Sequence, residues 1–244
     1  MIALCNTRGS TIPREADAAL YLHVGPEIAV ASTKAYLGQI AACYLLGLFL
    51  AQVRGNLYPD EIAALMEDLA QIPDQIQQVL DSSAQVERLA RDMEAATSVL
   101  FLGRHVGYPT AMEGALKLKE IAYIHAEGFA AGELKHGPIA LVEEGQPVFV
   151  IVPSPNGRHS LHSKVVSNIQ EVRARGARTL VIAEDGDYAV LPYADEVIRV
   201  PATRTLFAAL LTVIPLQIFA CELATAKGLD VDQPRNLAKS VTVE

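Results

Sequence analysis

The strongest constraint on what this chain can fold into is an unequal internal repeat. Ala16 and Asp17 open an apolar strand leading to a long apolar helix stopped at Gly55, and Ala194 and Asp195 open another leading to a second such helix stopped at Gly228. Element order, the position of the aspartate and the length of the helix agree, as they do when one supersecondary unit is used twice. What precedes each copy differs. A full series of alternating strand and helix patterns, beginning near Ser98, leads into the second copy, whereas only the short apolar run Ile2–Asn6 leads into the first. The expectation is one complete α/β domain preceded by the tail end of a sister domain, and 244 residues are enough for both.

Strands are expected at Ile2–Asn6, Ala18–His23, Val99–Gly103, Val148–Val152, Thr179–Ala183 and Glu196–Val200. Runs that are apolar at every position, such as Val148–Val152, suit strands covered on both faces, which points to a mainly parallel sheet flanked by helices. Helical patterns fill Lys34–Val53, Pro109–His125, Ser160–Arg175 and Thr205–Lys227. Between the two α/β parts, Tyr58–Ala96 is rich in Gln, Asp and Glu, with Ile62, Leu65, Leu69, Ile72, Ile76, Val79 and Leu80 at helical spacing. It reads as an amphipathic connector punctuated at Pro73 and at Ser82 and Ser83. The expected division is residues 1–57, a connector at 58–96, a second domain at 97–234 and a tail at 235–244.

Composition narrows the function class. With 51% hydrophobic and 20% charged residues, the chain is too apolar to be disordered and too interrupted to be a polytopic membrane protein. Tyr36–Val53 and Leu206–Ala226 approach the roughly 20 residues of a bilayer span. Gln39 and Gln52 in one, and Pro215, Gln217 and Glu222 in the other, favour core helices, so no membrane partner is expected. A formal charge of −8 gives no global field to attract nucleic acid, and an anionic ligand must be held by a local cluster. Cys5, Cys43 and Cys221 lie far apart among apolar neighbours, which suits buried thiols of a reducing compartment and neither a metal site nor a disulfide framework. No metal and no cofactor is expected.

In parallel sheets ligands bind beyond the carboxyl ends of the strands, and the turns there direct attention to three clusters. Lys117 and Glu120 stand three apart on one helix face, a spacing that suits an ion pair on a solvated surface as well as a functional pair. His136 lies in a turn-forming context between Gly132 and Pro138, beside Lys135. Lys239 lies in a polar tail whose Pro234, Leu237 and apolar ending favour docking over fraying. Ser32 and Thr33 suit the N-cap of the first long helix, and Ser160 suits the cap of another, although the loop 153–160 could also cradle a phosphate.

The strings Gly25–Tyr36, Glu113–His125 continuing to Gly132–Pro138, and Asp230–Glu244 closely resemble the isomerase half of the glucosamine-6-phosphate synthase family, the glutamine–fructose-6-phosphate transaminases (isomerizing). The resemblance covers essentially the whole chain. It implies a pair of SIS, or sugar isomerase, domains of flavodoxin-like α/β type, of which this chain holds the last part of the first and all of the second. It also implies cytoplasmic conversion of fructose 6-phosphate to glucosamine 6-phosphate by a homodimer, with ammonia supplied by a glutaminase domain. That domain and the family's Ser/Thr-rich phosphate loop belong before the equivalent of Ile2, so this chain alone is expected to be inactive.

The resemblance further assigns Glu120 as the carboxylate base, His136 as the ring-opening group reaching a neighbouring subunit, Lys239 as the Schiff-base amine and Lys117 as a stabilising cation. Val30, Ser32 and Ala238 match positions lining the sugar. Two other readings stand beside this one. One is a non-catalytic sugar-phosphate-binding or dimerisation module; the other is a related sugar-phosphate deaminase or isomerase.

Overall fold

Among the described residues every strand pair in the computed structural model is parallel, as the runs of apolar residues lead one to expect. The structure describes residues 1–156 and 160–239, and the chain divides into two compact units: Met1–Ala70 with the tail from Asp232, and Gln71–Val231.

The first unit holds β1 (Ile2–Cys5), a short helix α1 (Thr11–Glu15), β2 (Ala18–Tyr21) and the long helix α2 (Lys34–Val53). β1 and β2 pair in register Ile2 to Ala18 through Cys5 to Tyr21. Both strands fall where the sequence places them. α2 does not behave as the core helix expected of it, because only Ala42 and Leu48 are buried along its length. A two-stranded sheet offers too little surface to cover a twenty-residue apolar helix. Cys43 is exposed for the same reason and Cys5 and Cys221 are only half-buried, so the expectation of three buried thiols fails, although all three are free.

The connector folds as α3 (Pro59–Asp81) and α4 (Ala84–Asp92), parted at Ser82 and Ser83 as expected. Pro73 does not interrupt α3. It is exposed, so water can satisfy the carbonyl that loses its amide partner.

The second unit is built on five strands, β3 (Ser98–Gly103), β4 (His125–Ala130), β5 (Pro147–Ile151), β6 (Arg178–Glu184) and β7 (Glu196–Val200), in the order β4-β3-β5-β6-β7. This is the doubly wound order in which the sheet grows both ways from its first strand. Side chains alternate between its faces. Leu100, Leu102, Val148, Val150 and Val181 pack with Val165, Ile169 and Val172 of α6 (His162–Arg173). The alternate residues Phe101 and Phe149 stack at 5.1 Å, and Phe149 meets Phe219 of α7 (Ala208–Ala226) edge-on at 4.8 Å. Here α7 is the core helix that the sequence predicts, with twelve of its residues buried.

β4 has no counterpart among the expected strands, and the helix predicted to reach His125 ends earlier. α5 (Gly107–Lys117) passes into a single π-helical turn, Leu118–Ala122, and Tyr123 closes it in the left-handed region at φ 54° with its N–H on the Leu118 carbonyl. The chain then re-enters the sheet, pairing His125 with Ser98.

Candidate active site

Glycines set the position of α5. A Cβ on Gly103, the last residue of β3, would lie 2.1 Å from the Gly107 carbonyl oxygen, and one on Gly114 would lie 2.7 Å from Leu216. Strand, turn and helix are thereby pressed onto α7, and the inner face of α5 is buried, including two charged residues, Glu113 and Lys117.

Lys117 is the centre of a three-residue cluster. Its Nζ lies 2.5 Å from Glu120 Oε2 and 3.4 Å from Glu113 Oε1. The spacing of Lys117 and Glu120 does give an ion pair, but it is not on a solvated surface: the Lys117 side chain is 4% exposed and that of Glu120 23%. Neither facing carboxylate oxygen has a well-directed hydrogen bond, so the ammonium compensates them mainly through charge. Burial raises the Glu113 pKa above the ordinary carboxylate value; Lys117 opposes that rise and the neighbouring Glu120 charge adds to it. Two carboxylates share one cation, and the cluster carries a formal charge of −1. Glu120 is the less buried of the two and is the one a solute can reach. Glu113 is the member that sequence reasoning missed, although its place four residues before Lys117 was a signal for it.

His136 occupies a 3-10 turn, Leu134–His136, that follows the carboxyl end of β4, and it is exposed. Glu120 lies on the other side of that strand, before its amino end at His125. Six residues of strand span roughly 17 Å, so one chain does not bring His136 and Glu120 together. Gly132, ahead of this turn, leaves room for the Arg104 guanidinium, which would lie 2.8 Å from a Cβ there.

The first unit gathers the other predicted residues. The amide of Val30 donates to the Asp232 carbonyl at 2.9 Å, and Lys239 Nζ donates to the carbonyls of Ala29 at 2.6 Å and Val30 at 3.2 Å. The tail is docked through residue 239, as expected, and Ala238 comes with it. Ser32 Oγ donates to Glu27 Oε2 at 3.2 Å. Neither Ser32 nor Thr33 caps α2 with its side chain. Glu27 does so instead, accepting from the Thr33 amide at 2.6 Å and the Ala35 amide at 3.2 Å. Burial tends to raise the Glu27 pKa, but these bonds and those from the Ser32 and Thr33 hydroxyls outweigh it and hold the group below its usual value. The cap lay outside sequence reasoning because Glu27 sits in a loop six residues before the first amide it serves.

Ser160 does act at the start of α6, accepting from the His162 amide at 3.2 Å and donating to the Ser154 carbonyl at 2.6 Å. The rest of that loop, residues 157–159, lies outside the described residues, as do residues 240–244. Among the described residues no three His, Cys, Asp or Glu side chains are grouped to hold a metal ion.

The SIS domain family matches residues 1–48 and 92–227. The chain is 70% identical over all 244 residues to glutamine–fructose-6-phosphate aminotransferase [isomerizing] of Corynebacterium glutamicum, of which it covers 39%. It is 61% identical to the protein of that name from Mycobacterium tuberculosis, again across the whole chain and 39% of the relative. Among solved structures, the C-terminal domain of glucosamine-fructose-6-phosphate aminotransferase from Francisella tularensis superposes with a TM-score of 0.88 at 38% identity, covering 96% of this chain and 65% of that one. Glucosamine-6-phosphate deaminase from Thermotoga maritima gives 0.72 at 25% identity, covering 99% and 66%. The chain thus spans about two fifths of the length of these curated relatives.

Proposed function

The chain belongs to the SIS domain family, and from that premise we propose that it is the isomerase part of a glutamine–fructose-6-phosphate aminotransferase, making glucosamine 6-phosphate from fructose 6-phosphate and glutamine-derived ammonia. The observation that carries this reading is the buried Glu113–Lys117–Glu120 cluster, in a chain 70% identical to a protein of that name. Replacing the C2 carbonyl oxygen of the ketose by nitrogen releases water and gives an imine. A proton then leaves C1 and returns at C2, leaving an aldehyde at C1 and an amine at C2. One positioned base serves both transfers, and Glu120 is the carboxylate with access. Lys117 beside it stabilises negative charge as the enediol-like intermediate forms.

Lys239 takes the ketose as a Schiff base with loss of water, and ammonia then displaces the lysine amine to leave the imine at C2. Its amine is held at the carbonyls of Ala29 and Val30. His136 opens the sugar ring from the neighbouring subunit of a homodimer, and Val30, Ser32 and Ala238 line the sugar. A glutaminase domain of the longer protein supplies ammonia, and three free thiols suit a cytoplasmic setting. A purely binding module has no use for two carboxylates held against one buried lysine, which disfavours that alternative.

The test is Glu120→Gln in the full-length protein. Turnover of fructose 6-phosphate should fall by about 10²–10⁴-fold, exchange of solvent deuterium into the sugar should be lost, and sugar binding should persist. Exchange surviving the substitution would remove Glu120 as the base.

A further inference from the structure

A second crevice opens in the Gln71–Val231 unit, at the end of the sheet away from Glu120. Ser154 follows β5, Glu184 ends β6, and Thr203, Arg204 and Thr205 follow β7; with Asn156 they line a depression of about 460 Å³. That volume lies within the range of small-molecule sites, and the carboxyl ends of parallel strands are where such sites form. Glu120 lies instead at the turn into the amino end of β4, which pairs with the amino end of β3, so the two places do not overlap.

The lining is held in place from behind. Arg199 Nη1 donates to the Glu184 and Asp187 carbonyls at 2.8 and 2.9 Å, and Gln75 Nε2 donates to the Ala202 carbonyl at 3.2 Å. Ser154 is 8% exposed. Its hydroxyl oxygen accepts from the Asn156 amide at 3.1 Å, which leaves its own proton to give. Asn156 Nδ2 donates to Glu184 Oε1 at 3.3 Å, which leaves Glu184 Oε2 to accept.

This lining is bipolar. Arg204 and three hydroxyls suit an oxyanion with several acceptor oxygens. The Glu184 carboxylate repels a free anion, and together with its amide neighbour it matches hydroxyl groups, which both donate and accept. We propose that this crevice is a second ligand site, distinct from the Lys117–Glu120 cluster, for a phosphorylated sugar whose phosphate is held at Arg204, Thr203 and Thr205 and whose hydroxyls meet Glu184 and Asn156.

The test titrates the chain with glucose 6-phosphate, with unphosphorylated glucose and with inorganic phosphate, following amide shifts by NMR. Glucose 6-phosphate should move the signals of residues 154–156 and 202–205. Arg204→Gln and Glu184→Gln should each weaken that binding at least tenfold, with thermal midpoints close to the parent, while Glu120→Gln should leave it unchanged. Glucose and phosphate alone should each bind at least tenfold more weakly than glucose 6-phosphate. The proposal is overturned if glucose 6-phosphate leaves these signals in place, if Arg204→Gln binds as the parent does, or if inorganic phosphate matches the sugar phosphate. A loss on Glu120→Gln alone would assign all binding to the first site and equally overturn it.

Discussion

α2 and α7 are nearly the same helix by composition and sit in very different surroundings. Both are strongly apolar, and neither has more than two charged residues in its most apolar 18-residue stretch. Yet 11% of that stretch is buried in α2 and 67% in α7. What separates them is the sheet each follows: two strands in the first unit, five in the second. A helix apolar all round has no face of its own to hide, so its burial is decided by the elements available to cover it. Repetition in sequence therefore shows that the unit recurs, and leaves open whether each copy is enclosed.

The largest test of this contrast is Phe219→Ala, which removes a ring packed edge-on against Phe149 from a position with no exposure. Stability should drop by about 3–5 kcal/mol, measured as the shift in the urea midpoint. A drop under about 1 kcal/mol would mean that α7 is no better enclosed than α2. Next is Glu27→Gln, which weakens the cap of α2. It should cost about 1 kcal/mol at neutral pH.

Because Glu27 is held below its usual pKa of 4.5, its contribution is present above that value and is lost as pH falls through the lowered one, so parent and variant should converge in acid. A gap that stays constant with pH would rule out the ionised cap. Glu113 should behave oppositely. Its folded pKa is raised above 4.5, so its contribution is greatest below that value and declines as pH rises toward the raised one. Glu113→Gln should flatten that decline in urea midpoints measured across the window, and an unaltered profile would count against the burial described. The smallest effect is expected for Phe49→Ala on α2, whose ring is 59% exposed. It should change stability by no more than about 0.5 kcal/mol, and a loss near that of Phe219→Ala would erase the distinction between the helices.

How much of this was legible beforehand follows the same line. Strands β3, β5, β6 and β7 announce themselves through β-branched and aromatic runs. β4 does not, since His125–Ala130 contains two alanines and a glycine; it is an edge strand whose place depends on pairing with β3. Pro73 looked like a break because propensity treats every helix interior alike, while an exposed position softens the loss. At the site, the Lys117–Glu120 pairing was readable from spacing, but its burial and the third member Glu113 required the packing of α5 on α7. The Glu27 cap required a loop to fold back, and the separation of His136 from Glu120 required the strand between them. Local pattern carried the elements, and contacts between distant residues carried the chemistry.

The π turn at Leu118–Ala122 has a genetic consequence. A π turn holds one more residue than the α-helical turn it replaces, so deleting the codon for Leu118 or Lys119 would leave a regular turn and keep the face of everything beyond it. Glu120 would then stand two positions from Lys117 instead of three and swing away from it. Scanning by substitution would pass over this dependence, whereas an in-frame deletion library would find it, because here the reading length between Lys117 and His125 is itself an inherited trait.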